Sequence, residues 1–87
     1  KKILLTGFGM IGQIMLALMN ALKISDITVI ENNNNKLRML KKNYKNINVL
    51  KNIETRVKKK FDLAFETTGN KQLIEYSYNN IKNIIQY

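Results

Sequence analysis

The chain contains no cysteine, no histidine and no proline, and these absences exclude several kinds of chemistry and organisation. Without cysteine and histidine, the segment can form no disulfide, no thiolate zinc site, no cysteine nucleophile and no histidine general base. We therefore expect no metal site in it. No proline-rich linker or repeat interrupts the chain. No apolar run reaches the roughly 20 residues of a membrane span, and no signal peptide is visible. We expect a cytoplasmic protein with no membrane partner.

Acidic residues are scarce. The chain has 6 Asp and Glu against 15 Lys and Arg, for a net charge of +9. Such a balance is compatible with nucleic-acid binding. However, few aromatic residues lie among the basic ones, so no stacking surface for bases is evident. We expect no nucleic-acid partner; a positive surface also suits an anionic cofactor or a phosphorylated substrate.

A length of 87 residues allows one small domain, residues 1–87. A full dinucleotide-binding domain has six strands in two halves, whereas four or five strands are predicted here. We therefore expect a domain excised from a longer chain that carries a separate catalytic domain.

Strand and helix patterns alternate along the chain. Predicted strands cover residues 2–6, 27–30, 47–50, 61–66 and 81–87, and predicted helices cover 10–22, 36–44 and 71–80. This alternation predicts an α/β fold: a Rossmann-type, doubly wound parallel sheet with right-handed crossovers and strand order 3-2-1-4-5. The first helix is apolar around most of its circumference, which is typical of a helix packed on a sheet and near a second domain.

Three glycines follow the first predicted strand in the pattern Gly-x-Gly-x-x-Gly and lead directly into the first helix. In a dinucleotide-binding turn, Gly7 permits the tight turn, Gly9 lets a pyrophosphate approach the backbone, and Gly12 lets the helix pack close to the strand. The helix N-terminus then offers N–H groups and the positive end of its dipole to the phosphates. The pattern alone is weak evidence; its position between strand and helix strengthens it.

Glu31 follows the second predicted strand, where the dinucleotide fingerprint expects an acidic residue about 20 residues after the glycines. A carboxylate there can accept hydrogen bonds from the adenosine ribose hydroxyls and would repel a 2′-phosphate, which favours NAD over NADP. The alternative is a solvated glutamate at a strand end.

A second informative stretch follows the fourth predicted strand. Thr67 and Thr68 offer hydroxyls, and Gly69 permits a positive φ and a close approach of a ligand to the backbone. The alternative is an ordinary turn between a strand and a helix.

Together these stretches resemble the coenzyme domain of the medium-chain dehydrogenase/reductase superfamily, the zinc-type alcohol, polyol and threonine dehydrogenases. The resemblance rests on Gly7-Phe8-Gly9-Met10-Ile11-Gly12, on Glu31 with Lys36 five positions later, and on Phe65-Glu66-Thr67-Thr68-Gly69-Asn70. The chain departs from that family in a short basic connector at 51–60 and in lacking a Pro-Gly-Gly turn before the last strand.

The resemblance implies a site. Residues 8–11 would hold the pyrophosphate, Glu31 and Lys36 the adenosine ribose, and residues 67–69 the middle of the cofactor; a solvated lysine at a helix start is the alternative for Lys36. The candidate cofactor-binding residues are Gly7, Phe8, Gly9, Met10, Ile11, Gly12, Glu31, Lys36, Thr67, Thr68 and Gly69. Zinc ligands and proton relay belong to the family's catalytic domain, so zinc is expected only there and no catalytic residue is assigned here.

The resemblance further implies an NAD(H)-binding domain of an oxidoreductase that transfers hydride between nicotinamide and an alcohol or polyol, within a homo-oligomeric full-length protein. One alternative is a nucleotide-sensing regulatory domain of a channel or transporter, which shares the glycine turn and the acidic strand end. Such domains carry an acidic Gly-Asp pair after the third strand, where this chain has Leu50-Lys51-Asn52. Another alternative is a domain that has lost its nucleotide and serves a structural role.

Overall fold

The chain forms a five-stranded parallel β-sheet and two α-helices in a computed structural model that describes residues 2–51, 61–71 and 81–86. The strands are β1 (Lys2–Thr6), β2 (Asp26–Ile30), β3 (Asn48–Leu50), β4 (Phe61–Glu66) and β5 (Ile81–Gln86), and the helices are α1 (Met10–Ala21) and α2 (Asn34–Asn43). The predicted connector at 51–60 and the predicted helix at 71–80 lie, apart from their first residues, outside the described residues.

The strand order is β3-β2-β1-β4-β5, and every neighbouring pair is parallel. This confirms the predicted α/β fold and the predicted order. Thr6, the last residue of β1, is in register with Ile30 on one side and with Glu66 on the other. The chain therefore leaves β1, β2 and β4 at the same level of the sheet, and the three following loops lie side by side.

Helix α2 begins two residues earlier than predicted, at Asn34 rather than Lys36. The side chain of Asn33 caps it by accepting a hydrogen bond from the Lys36 N–H at 3.0 Å. Asparagine is among the best N-caps because its short side chain reaches a free N–H of the first turn. The cap and the first helical residue, Asn34, thus both lie within the run of four asparagines.

Helix α1 ends in a Schellman motif. The Lys23 N–H donates to the Asn20 carbonyl at 3.0 Å, the Ile24 N–H donates to the Met19 carbonyl at 3.1 Å, and Lys23 adopts a positive φ of 58°. This motif satisfies carbonyls that the helix end leaves free. The helix therefore stops at Ala21, one residue before the predicted end.

One face of the sheet packs against both helices. Buried side chains from alternate positions of β1 and β2 meet buried side chains of α1 and α2, and this cluster comprises Ile3, Leu5, Phe8, Leu16, Met19, Ile27, Val29 and Leu40. The period of two along each strand and the helical spacing on α1 account for this pairing. The cluster therefore packs α1 and α2 against the same face of the sheet.

The opposite face of the sheet is buried as well. Leu4 and Ala64 on this face are completely inaccessible to solvent. Two threonines, Thr6 and Thr28, are also buried in the central strands. Burial on both faces is typical of parallel sheets, and it makes the hydrogen bonding of these hydroxyls important.

We expect Thr28→Val to stabilise the fold by about 1 kcal/mol, because the Thr28 hydroxyl is buried without a hydrogen-bond partner in the described part of the chain. Valine has nearly the same shape and no polar atom to desolvate. Thr6→Val is the matched control: the Thr6 hydroxyl donates to the Glu66 carboxylate at 2.7 Å, so its loss should destabilise the fold by about 2 kcal/mol. Equilibrium unfolding in urea measures both, and equal losses of stability in the two variants would contradict the assignment.

Candidate functional site

The candidate site lies at the edge of the sheet where the loops after β1, β2 and β4 meet. The Gly7 N–H donates to the Ile30 carbonyl at 2.8 Å, and the Thr67 N–H donates to the Thr6 carbonyl at 3.1 Å. These bonds continue the sheet by one residue on each side of β1. The structure thereby brings the glycine turn together with Glu31 and the loop of residues 67–69.

Gly7 and Gly12 are required by the packing of the turn itself. Gly7 has a φ of +92°, and a Cβ on it would lie 2.8 Å from two side-chain atoms of Thr67 and Thr68. A Cβ on Gly12 would lie 2.1 Å from the carbonyl oxygen of Gly7. These glycines therefore do what the fingerprint assigns to them: Gly7 makes the turn, and Gly12 lets α1 approach the end of β1.

Gly9 is different, because a Cβ on it would meet no atom of the described residues within 4 Å. Its φ of −77° and ψ of −164° are also accessible to any residue. The packing of the described residues thus gives no reason for a glycine at this position. Gly9 is the N-cap residue of α1, so this open space adjoins the first turn of the helix.

Gly9 is the N-cap residue of α1, so no side chain of the described residues caps the helix, and its first turn contains no acidic residue. Gln13 is the first residue of the helix whose N–H reaches a carbonyl, that of Gly9 at 2.9 Å. The N–H groups of Met10, Ile11 and Gly12 have no acceptor among the described residues. Free N–H groups and the positive end of the helix dipole together favour an anion at this point.

Glu31 is buried and ties the second loop to the glycine turn. One carboxylate oxygen accepts from the Phe8 N–H at 2.8 Å, and the other accepts from the Asn33 N–H at 2.9 Å. Its own N–H donates to the Leu50 carbonyl at 3.0 Å. Each carboxylate oxygen can accept a further hydrogen bond, so Glu31 organises the turn and still retains acceptor capacity.

The side chain of Phe8 packs into the hydrophobic core rather than lining the surface of the site. Its ring is buried and contacts Tyr44 edge to face, with ring centroids 6.5 Å apart. Its N–H donates to Glu31, and its carbonyl accepts from the Gln13 side chain at 3.4 Å. Phe8 therefore positions the turn through its side chain and backbone.

Glu66 is the centre of a buried hydrogen-bond network that shapes the loop after β4. One carboxylate oxygen accepts from the Thr6 hydroxyl at 2.7 Å, from the Thr68 N–H at 3.0 Å and from the Thr68 hydroxyl; the other accepts from the Gly69 N–H at 3.0 Å. Burial alone raises the pKa of Glu66, but the hydrogen bonds from Thr68, Thr6 and Gly69 outweigh it and hold the pKa below its ordinary value of 4.5. The carboxylate is thus kept ionised and fixes the loop.

The two threonine hydroxyls of this loop are used inside the protein. The Thr67 hydroxyl donates to the Thr6 carbonyl at 2.7 Å. The Thr68 hydroxyl donates to Glu66 and accepts from the Asn70 N–H at 2.9 Å. Thr67 can still accept a hydrogen bond from a ligand. Gly69 has a φ of +66° and is exposed on the loop, and a Cβ on it would meet no atom of the described residues within 4 Å.

Lys36 joins the cluster through its backbone, since its N–H donates to the Asn33 cap beside Glu31. Its side chain is half-buried in the first turn of α2. Met10 and Ile11 occupy the first turn of α1, Met10 being 78% exposed. All eleven residues named from the sequence thus lie on the three adjacent loops or on the helix turns that follow them.

Thr6 and Glu66 belong to the site although the sequence patterns did not single them out as functional. Thr6 is the last residue of β1 and Glu66 is the last residue of β4, and Glu66 lies immediately before Thr-Thr-Gly. An acid at the end of a buried strand, followed by a turn rich in N–H and O–H donors, is the signal that indicates such a network.

The described residues contain no group of three or more acidic, cysteine or histidine side chains that could hold a metal ion. In the same part of the chain, no helix has the length and apolar character needed to cross a membrane. Comparison with known proteins finds no matching family model, no similar curated protein and no similar solved structure.

Proposed function

We propose that this chain is the NAD(H)-binding domain of an oxidoreductase that transfers hydride between nicotinamide and an alcohol or polyol. The observation that carries the proposal is the contrast among the three glycines. Gly7 and Gly12 are needed by the protein's own packing, whereas Gly9, the N-cap residue of α1, has no neighbour among the described residues within 4 Å of a Cβ position and no side chain with which to cap the helix. A ligand that approaches the backbone closely gives a glycine at position 9 its purpose.

The pyrophosphate would bind in front of α1. The free N–H groups of Met10, Ile11 and Gly12 would donate to phosphate oxygens, and the helix dipole would add a favourable charge interaction. The net charge of +9 would further attract an anionic ligand.

Glu31 would hold the adenosine ribose. The carboxylate is fixed by the Phe8 and Asn33 N–H groups, and its remaining lone pairs would accept from the ribose hydroxyls. A 2′-phosphate would place like charges within hydrogen-bonding distance, so we expect NAD to be preferred over NADP. Lys36, in the first turn of α2, would assist at the same ribose.

The loop of residues 67–69 would line the groove near the middle of the cofactor. Glu66 holds this loop against β1, so its position is set before a ligand arrives. Such preorganisation lowers the cost of ordering the loop on binding.

The cofactor would supply the hydride chemistry, and this segment would bind and orient it. No catalytic residue is assigned within the chain. The substrate, any zinc ion and the proton-transfer groups would belong to another domain of a cytoplasmic protein.

Titration of the purified protein with NADH, followed by nicotinamide fluorescence, tests the proposal. We expect NADH to bind at least about tenfold more tightly than NADPH, and we expect Gly9→Ala to weaken NADH binding by about 100-fold or more, since the methyl group would occupy the space of the phosphates. Thr28→Val, which changes a side chain inside β2, is the control and should bind NADH like the unaltered protein. Urea unfolding of Gly9→Ala should show a near-native stability, so that lost binding is not lost folding.

Three results would overturn the proposal. Failure of the unaltered protein to bind either dinucleotide would contradict the proposal that it binds NAD(H). Equal binding by Gly9→Ala would show that the phosphates do not lie before α1. A preference for AMP or ATP over NADH would favour a nucleotide-sensing domain.

A further inference from the structure

Helix α2 carries a basic surface in a part of the sequence that contains no acid. Between Asn32 and Lys51 the chain has no Asp or Glu, and its basic residues there are Lys36, Arg38, Lys41, Lys42, Lys45 and Lys51. Arg38, Lys41 and Lys42 are exposed on α2. Because they are spaced by three and four residues, they lie on one side of the helix. We call these three residues the basic strip.

The stability of α2 does not account for the basic strip. The helix dipole favours Lys41 and Lys42 in the last turn, but it gives no reason for Arg38 one turn earlier. Like charges three or four residues apart on a helix repel each other, and Arg38 forms such a pair with each of the two lysines. The first turn of the helix contains no acidic residue that would offset the charge. An anionic partner would relieve this repulsion.

An open groove adjoins the basic strip. Its volume is about 740 Å³, and it is lined by Asn33, Asn34, Asn35, Leu37, Arg38 and Lys41. One N–H of the Arg38 guanidinium donates to the Asn35 side chain, which leaves its other donors for a ligand. The groove thus combines two cations, amide groups that both donate and accept, and the half-buried apolar side chain of Leu37.

This combination suits a protein segment better than a nucleic acid or a membrane. Helix α2 contains no aromatic residue on which a base could stack, and the ring of Tyr44, which follows the helix, contacts Phe8. A helix that lies on a membrane exposes a wide apolar face, whereas the large apolar residue exposed on α2 is Met39 alone, at 45%. Arginine and methionine are enriched where proteins contact each other.

We propose that the groove on α2 docks an acidic peptide segment of a partner protein, one with an apolar residue among its carboxylates. The carboxylates pair with Arg38 and Lys41, the arginine offering two parallel N–H groups to one of them. The apolar residue contacts Leu37, and the amides of Asn34 and Asn35 bond to the peptide backbone. This contact goes beyond the proposed cofactor and needs no dinucleotide, so its test is independent of the NADH titration.

A fluorescein-labelled peptide of three Glu-Glu-Leu-Glu repeats is the probe, and its fluorescence anisotropy measures binding to the purified protein. We expect a dissociation constant on the order of 100 μM at about 50 mM salt, because the contact is small. Exposed charge pairs are screened by salt, so at about 300 mM salt the dissociation constant should rise at least about fivefold. Serine in place of each leucine should raise it at least about threefold, since the apolar contact with Leu37 is then lost.

Two charge reversals locate the site. Arg38→Glu should raise the dissociation constant for the peptide at least about tenfold, because it replaces an attraction by a repulsion in the groove. Lys2→Glu is the matched control: it changes the net charge equally, but Lys2 is an exposed residue at the start of β1, at the opposite end of the sheet from the groove. Its effect should stay below about twofold.

Four results would overturn the proposal. The first is no binding of the peptide up to about 1 mM at low salt. The second is an equal effect of Arg38→Glu and Lys2→Glu, and the third is equal binding of the serine peptide. The fourth is that Arg38→Glu weakens binding of a short DNA duplex or of phosphatidylserine vesicles as much as it weakens binding of the peptide, because the groove would then not select a protein segment.

Discussion

Gly12→Ala is expected to destabilise the fold by about 3 kcal/mol or more. Alanine in place of glycine within a helix usually stabilises it by about 1 kcal/mol. Here the added Cβ would lie 2.1 Å from the carbonyl oxygen and 3.0 Å from the carbonyl carbon of Gly7. These are backbone atoms of a tight turn and cannot rotate away, so α1 must move off β1. The resulting loss of packing outweighs the gain in helix propensity.

Gly9→Ala is the control for this prediction. A Cβ at position 9 would meet no atom of the described residues within 4 Å, and the backbone angles of Gly9 suit alanine. Alanine is a weaker N-cap than glycine, which destabilises the folded state by about a few tenths to 1 kcal/mol. Alanine also lowers the conformational entropy of the unfolded chain, which stabilises the fold by a similar amount. Urea unfolding should therefore place Gly9→Ala within about 1 kcal/mol of the unaltered protein. A stable Gly12→Ala variant would show that α1 does not approach the turn as closely as described.

Glu66→Gln is expected to lower the stability by about 2–3 kcal/mol at pH 7. Both carboxylate oxygens accept from N–H groups, at Thr68 and at Gly69. Glutamine keeps the shape of the side chain, but its amide nitrogen must face one of these donors, and the charge that strengthens the remaining bonds is lost. Asp62→Asn is the matched control, because Asp62 is an exposed carboxylate on the same strand. It accepts from the Lys2 N–H at 2.8 Å, and the amide oxygen of asparagine can still accept that bond, so the effect should stay below about 0.5 kcal/mol.

The same network makes the stability depend on pH. The pKa of Glu66 is lowered on folding, so the folded state binds a proton less readily than the unfolded state. The ionised Glu66 carboxylate contributes fully to the free energy of unfolding above the unfolded pKa of about 4.5. This contribution is lost as the pH falls through the lower folded pKa. The difference in stability between the unaltered protein and Glu66→Gln should therefore shrink below pH 4.5. Thermal unfolding between pH 3 and pH 7 measures it, and a constant difference across that range would contradict the role of the carboxylate.

The strand order and the loops that form the site could be predicted from the sequence. Strand β4 begins at Phe61 and ends at Glu66 as the apolar run indicated. Parallel pairing followed from the alternation of strands and helices, because a crossover connection returns the chain in the same direction. The boundaries of α2 were less accurate, since each of four successive asparagines can serve as a cap.

The local features of this protein follow from residues close together in the chain: the spacing of the glycines, the periods of the strands and helices, and the acidic residue after β2. The contacts between distant parts of the chain appear only in the folded protein. Thr6 reaches Glu66 over 60 positions, and Phe8 reaches Glu31 over 23. The crowding at Gly12, the open space at Gly9 among the described residues and the exposed apolar side of α1 are likewise visible only in the fold. The physical reason is that hydrogen bonding and packing depend on distances in space, which the register of β1 between β2 and β4 sets.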